Sequence, residues 1–436
     1  VPLLLDNRQY LEVEKIWEDP VYQAMDTCLI VVADTGFGDR YGTWPSWIGD
    51  RCVAAKSFIP YEQTCEDAIG HGSAVIDIIA GGPPPQGYSD YRGIFPKALI
   101  GIARVFDSNG WTYESWLLQA AEWVAGLEVT YRGKKYKPRI MNNSWGSTSN
   151  TDGTDTLSEA YDKLWDLGVY VEFSMGNSGT QGSPCDGTVG SPATNKRCVK
   201  TGATTGAHRG EGEDQSLTVV FTSRPKTRDG RSYPELKFCM FPGVKIRNYD
   251  PRMDGKSGTS FSGPMHCGLA GILFALFDYL ERAITNEQVW RIIEATCWEI
   301  GYRNHPEKYS AEQAACLEGA GEGRPHAAWL KAKGEEATPQ KRVALLIDGS
   351  EVDHLTHSGP MRYVMSQTVS VGQHKYRGQI IDAEGVVLKE TVEVPFEVVE
   401  EQQTPDETIE AIEPIAGSKF KEGQTINFIF EVKKIQ

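Results

Sequence analysis

The sequence predicts an α/β protein, a parallel sheet with helices on both faces, followed by a C-terminal antiparallel β-sandwich. Three observations carry that expectation. The runs CLIVVAD, ALIGIARVF, RIMNNSW, VYVEFSM, CVKTGAT and LTVVFTS are short and bounded by Gly, Asp or Asn, and several are apolar throughout, as strands buried on both faces should be. Between them stand HGSAVIDIIAG, WTYESWLLQAAEWVAGLE and TDTLSEAYDKLWDLG, whose apolar residues recur at helical spacing, and strands alternating with helices predict a parallel sheet. After Lys333 helical periodicity fades, and VALLID, YVMSQTVSV, GQIIDAEGVVL, TVEVPFEVV and TINFIFEV alternate or run apolar between turn residues.

At 436 residues the chain exceeds one typical core, and two domains are expected, 1–335 and 336–436. Hydrophobic residues make up 40% and charged residues 24%, a globular composition that excludes disordered and collagenous classes. No run approaches transmembrane length. Lys and Arg number 44 against 59 Asp and Glu, and a net charge of −15 repels polyanions, so neither nucleic acid nor an anionic membrane is an expected partner. Thr285 in TNEQVWRIIEATC reads as a helix N-cap, and the acidic EVVEEQQTPDETIEAIE as a solvated loop.

None of the nine cysteines forms a CxxC pair, which argues against cysteine-bound zinc. The odd count leaves at least one thiol unpaired within the chain. Cys185/Cys198 and Cys297/Cys316 bracket turn-rich loops that disulfides could staple, which points to an extracellular setting. The N-terminal VPLLLDNRQY lacks the basic start and long apolar core of a signal peptide, so the expectation is a processed, secreted form.

The chemistry centres on SGTSFSGPMHCGLAGILFALF at 257–277, a long apolar helix that opens with small residues around Ser260. Small residues allow close helix packing; alternatively, a serine just inside a helix N-terminus sits among unpaired N–H groups that favour an oxyanion. As a nucleophile Ser260 needs a base, and His71 in DAIGHGSAV stands at a loop-to-helix junction where a base can be held yet exposed. Asp34 ends the strand in CLIVVADTGFG, where it could accept the imidazole N–H and fix its tautomer. Asn177 in EFSMGNSG follows another strand and could donate its amide to an oxyanion. Each has a plainer reading alone: a structural histidine, a turn-capping aspartate, a turn asparagine.

Together these stretches resemble the subtilisin-like serine protease family. ADTG around Asp34, GHGSAV around His71, SWG at Ser144–Gly146, GNSG around Asn177 and SGTSFSGP around Ser260 fall in family order, and the resemblance runs from about residue 15 to 333. Further likenesses are GIFPKALIGIARVFD, TVGSPATNKRCVKTGAT, FTSRPKTRDGRSYPELKFCMFPGVKI and EGAGEGRPHAAWLKA. The resemblance implies an endopeptidase with Asp34, His71 and Ser260 as catalytic triad and Asn177 in the oxyanion hole. It places Ser144, Trp145 and Gly146 beside an extended substrate, and Ser174, Met175, Gly176 and Gly190 around the primary pocket. Gly190 leaves depth and no acid stands in the pocket, so a large apolar or aromatic P1 residue is expected. The implied partners are polypeptide substrates of a monomer made as a zymogen with a propeptide. No cofactor is needed for the chemistry; the family often carries structural calcium, for which NTDGTD at 150–155 is the one local candidate.

The chain departs from the family pattern at Ser73 and Ala74 after His71, at Asp77, at Phe261 and Ser262 after the nucleophile, and at Met265 and His266. None removes a proton-transfer group. Asp77, about 1.7 helical turns past His71, is expected to raise the imidazole pKa. Two rivals remain. A catalytically silent binding module has no chemical reason to keep Asp34, His71, Asn177 and Ser260 together, and an esterase or lipase calls for a G-x-S-x-G elbow and the order Ser, Asp, His, both absent.

Overall fold

A computed structural model describes residues 3–335 apart from 39–46, 85–89, 181–182, 207–215, 247, 299, 301 and 303–307, and beyond 335 a set of strands between 342 and 431 together with residue 348. The chain divides into two compact units, one of residues 1–302 and 312–335, the other of 303–311 and 336–436.

In the first unit three short helices, α1 (Leu3–Tyr10), α2 (Val13–Glu18) and α3 (Pro20–Ala24), lead into β1 (Leu29–Asp34). There follow β2 (Cys52–Ser57), α4 (His71–Ala80), β3 (Leu99–Arg104), α5 (Glu114–Gly126), the hairpin β4 (Val129–Tyr131) and β5 (Lys134–Tyr136), β6 (Pro138–Asn143), α6 (Thr156–Asp166) and β7 (Tyr170–Ser174). β8 (Val199–Thr204), β9 (Phe238–Pro242), α7 (Thr259–Tyr279), α8 (Asn286–Glu294), α9 (Ala311–Glu318) and α10 (Pro325–Lys333) complete it. Seven strands form one parallel sheet in the order β2-β3-β1-β6-β7-β8-β9. Every residue of β1, β3, β7, β8 and β9 is buried, on whichever face its side chain lies, so helices must cover both faces. α4 packs with α7, and α5 with α6.

Several expectations are met locally. Thr285 caps α8 through a reciprocal capping box with Gln288. Others are corrected. LTVVFTS is not a strand; it makes only an isolated bridge, Thr218 with Thr204, because its backbone turns back past Gly176 and Gly179. The edge strand β2 had no apolar signature because most of it is half-exposed. α7 is long and apolar enough to span a membrane, contrary to the sequence reading, but 94% of its apolar window is buried inside the protein. It is the central core helix.

The cysteine pairing is also corrected. Cys185 bonds Cys316, while Cys198 and Cys297 are free. Neighbours in sequence are not neighbours in space here: Cys198 turns inward toward the Tyr161 carbonyl, and Cys297 lies against buried Cys239.

The second unit contains β10 (Arg342–Ile347), β11 (Ser350–Thr356), β12 (Arg362–Thr368), β13 (Gly372–Ile381), β14 (Val387–Glu390), β15 (Val394–Val399), β16 (Ser418–Lys421) and β17 (Thr425–Glu431). β11-β10-β13-β15-β16 form one sheet with β14 on β13, and β12 pairs β17. All pairs are antiparallel except β15 with β16, which run parallel and so correct the all-antiparallel expectation. Most of the acidic EVVEEQQTPDETIEAIE, residues 400–413, lies outside the described residues.

Candidate active site

Asp34 is the last residue of β1 and His71 the first of α4. The His71 Nδ1–H donates to Asp34 Oδ1 at 2.8 Å, and the same oxygen accepts the Thr35 N–H at 2.7 Å. Asp34 Oδ2 is buried and has no hydrogen-bond partner among the described residues. Because a carboxylate only accepts, this contact puts the proton on Nδ1 and leaves Nε2 as the ring's base. Burial pulls the imidazole down, but the charge and hydrogen bond of Asp34, with the charge of Asp67 behind them, hold it above the ordinary histidine value.

Asp67 escaped the sequence reading. Fully buried, its Oδ1 accepts from Thr35 Oγ1 (2.8 Å), the Ile69 N–H (3.1 Å) and the Gly70 N–H (2.7 Å), and its Oδ2 from the N–H and Oγ of Ser73, both at 2.8 Å. It thereby satisfies donors at the start of α4 that would otherwise be orphaned, and it explains the hydroxyl at 73. Its signal was an acid four residues ahead of a helix start. Thr35 Oγ1 also accepts the Gly72 N–H at 2.8 Å, tying β1 to α4. Gly70, at φ 95°, precedes the helix, and a Cβ there would stand 2.6 Å from Arg252 Nε. Arg252 reaches from Asp250 to the Asp67 carbonyl.

Asp77 does not serve His71. Six residues along a helix turns a side chain well away from the first, and its carboxyl accepts from Trp47 Nε1 at 2.7 Å. Burial pushes it to about 8, with the charge of Asp250 adding to the effect. The expected role belongs to Asp67.

Two strands along the sheet from β1, β7 is stitched to α7. Ser174 Oγ donates to the Thr259 carbonyl (2.9 Å), the Gly176 N–H to Thr259 Oγ1 (3.1 Å), and the Thr259 N–H to Asn177 Oδ1 (2.9 Å). Since Asn177 Oδ1 accepts from the Thr259 N–H and hydroxyl, its NH₂ is turned the other way. Gly176 adopts φ 99°, and a Cβ there would meet Ser223 Oγ at 2.8 Å. Ser260 is the second residue of α7. Its Oγ donates to the Ser144 carbonyl at 3.0 Å; among the described residues no hydrogen bond joins it to His71. The Phe261 ring packs 5.9 Å from the imidazole.

Ser260 and Asn177 line a cleft of about 500 Å³ that also takes in Ser144, Trp145, Gly146, Ser174, Met175, Gly176 and Gly190, so all the residues expected to bind substrate converge on it. The sequence reading did not include Phe106, Thr112, Leu117 and Leu157 at one end, nor Ser191, Pro192 and Ala193 along the wall. No lining residue is charged. Gly190 acts differently from expectation: a Cβ there would lie 1.8 Å from the Ser147 carbonyl. Its missing side chain lets two wall segments pair, the Ser147 N–H to Ser191 O and the Ser191 N–H to Ser149 O, both at 2.8 Å.

In NTDGTD the carboxylates are occupied. Asp155 caps α6 through the Ser158 N–H and accepts Ser191 Oγ at 2.8 Å, and Asp152 pairs with Arg228. The described residues hold no cluster of three or more His, Cys, Asp or Glu that could ligate a metal.

The class is thus a parallel α/β protein that presents Asp, His and Ser side chains at strand ends and helix starts. The sequence pattern of the Subtilase family matches residues 32–323. Subtilisin amylosacchariticus of Bacillus subtilis subsp. amylosacchariticus is 27% identical over 248 residues, 56% of this chain and 55% of its own length. Subtilisin of Bacillus pumilus is 26% identical over 56% of this chain and 76% of its own. Membrane-bound transcription factor site-1 protease of Homo sapiens is 25% identical over 61% of this chain and 22% of its own. This chain spans about half the length of several of the curated relatives it matches. It belongs to the subtilase family.

Proposed function

We propose that the chain is a serine endopeptidase with Asp34, His71 and Ser260 as its triad. The observation that carries this reading is the 2.8 Å bond from His71 to Asp34, in a molecule whose Ser260 opens α7 beside Asn177 in one uncharged cleft. Ser260 Oγ leaves the Ser144 carbonyl by rotation about χ1 and attacks the substrate carbonyl carbon as His71 Nε2 takes its proton. Asp34 stabilises the imidazolium that results. The oxyanion meets the Ser260 N–H and Asn177 Nδ2. His71 returns the proton to the departing amine, and water, deprotonated by the same Nε2, releases the acyl group. None of these steps draws on a metal or cofactor, and structural calcium stays outside the mechanism.

The uncharged lining supports a large apolar or aromatic P1 residue over a charged one, because a buried charge without a partner is costly. Extended polypeptides fit by backbone pairing along the Ser144–Gly146 edge. A secreted monomer matured from a propeptide-bearing zymogen, binding neither nucleic acid nor membrane, completes the proposal, as do domain limits of 1–335 and 336–436. The deciding experiment is intact mass after fluorophosphonate treatment, with casein hydrolysis, for wild type and Ser260→Ala. One adduct and cleavage, both lost in the variant, are expected; equal behaviour of the two proteins sinks the mechanism.

A further inference from the structure

Beneath the start of α7 lies an acid that the steps above do not use. Glu172, in the middle of β7, has no exposed surface, and burial lifts its carboxyl to about 8. Its Oε2 accepts from Asn142 Nδ2 at 2.7 Å and lies 3.8 Å from Cys267 Sγ, and the Thr201 hydroxyl from β8 also stands against the carboxyl. Above it stands Gly263, where a Cβ would be 2.6 Å from Oε1. Helix interiors disfavour glycine, and here the missing side chain makes room for the carboxyl.

The bonds continue toward the nucleophile. Ser144 Oγ is 3.1 Å from both Asn142 Oδ1 and the Ser260 carbonyl, and the Ser144 carbonyl accepts Ser260 Oγ. Glu172, Asn142, Ser144 and Ser260 therefore form one connected path. Gly263 is three residues beyond Ser260, roughly 4.5 Å along the helix axis, so a charge on Glu172 would stand beside the turn that receives the oxyanion.

The titratable groups around Glu172 offer it no positive charge. Cys267 comes from α7, Cys239 from β9 and Tyr170 from its own strand, and burial raises all three. His266 on α7 is held between the Tyr170 hydroxyl (2.9 Å) and Thr201 Oγ1 (3.0 Å), and burial pushes it down to about 3, so it is neutral.

We propose that Glu172 is a positioning residue for Ser260: neutral, it orients Asn142 and through it Ser144; ionised, it opposes the oxyanion and turns hydrolysis down at alkaline pH. This rests on Ser260 being the nucleophile. The physical reason is that two anions in one poorly solvated region repel strongly, while the neutral acid asks only for its hydrogen bonds.

The test is kcat and KM from pH 6 to 10 for wild type and Glu172→Gln, which keeps the neutral shape. Wild type should show an alkaline limb in kcat centred near 8, about tenfold down one unit above it; in the variant the limb should vanish while KM follows wild type. A limb unmoved by Glu172→Gln overturns the proposal. Infrared titration of Asp77→Asn, which removes the other carboxyl that burial raises to about 8, keeps the question answerable if Glu172→Gln fails to fold: a protonated-carboxyl band should persist at pH 7 and disappear above 8, and its absence at pH 7 overturns the proposal. Wild type that takes up no fluorophosphonate at any pH overturns the Ser260 reading itself, whereas an adduct with an unmoved limb overturns only this one.

Discussion

The two junctions that meet at the site hold their side chains by opposite means. Where β1 passes into α4, the groups are ionic: Asp67 accepts five hydrogen bonds, and Asp34 binds the imidazole. Where β7 meets α7, the contacts are neutral, made by serine, threonine and asparagine to backbone groups. Even the buried acid there, Glu172, is pushed toward its neutral form. The difference follows from the charge each junction must accept. In the proposed mechanism the base becomes a cation, which nearby carboxylates favour, and the nucleophile generates an anion, which they oppose.

The largest expected effect breaks the neutral side. Asn177→Ala should lower kcat by about 10²–10³ with little change in KM, the range known for loss of one such donor in subtilisin; a drop confined to KM would remove Asn177 from the oxyanion hole. On the ionic side, Asp67→Ala strands several buried donors and should destabilise the fold by about 3 kcal/mol, read as a fall in the denaturation midpoint. Cys185→Ser releases the Cys185–Cys316 bridge, which closes a loop with a sequence separation of 131; a loss of about 2–4 kcal/mol is expected, and an unchanged midpoint under oxidising conditions would show that the bridge does not form.

Smaller shifts sharpen the contrast through pH. With its value held above 6.5, His71 stabilises the fold fully below 6.5, and this contribution is lost as pH rises through the higher folded value. Activity runs the other way, because the base must be neutral, so the acid limb of kcat/KM should centre above 6.5. Asp67→Asn should move that limb down toward it; a limb that stays in place would confine Asp67 to structure. Glu172, also raised, favours the fold below 4.5, a contribution lost as pH rises through about 8. Glu172→Gln should therefore gain thermal stability relative to wild type across that window.

The sequence by itself determined what short stretches can encode. An apolar run ending in Asp34, a glycine before His71, the glycine-flanked Asn177 and the small residues around Ser260 state local needs: a strand end, a helix start, a tight turn. These were legible because backbone chemistry acts within a few residues. What only the tertiary structure decided concerns partners distant along the chain. It turned Asp77 to Trp47 and gave its expected role to Asp67, paired Cys185 with Cys316, filled the space at Gly190 with the Ser147 carbonyl, and set Gly263 over Glu172. Such pairings rest on close approach and burial, which depend on how whole elements pack, and no local pattern carries that distance.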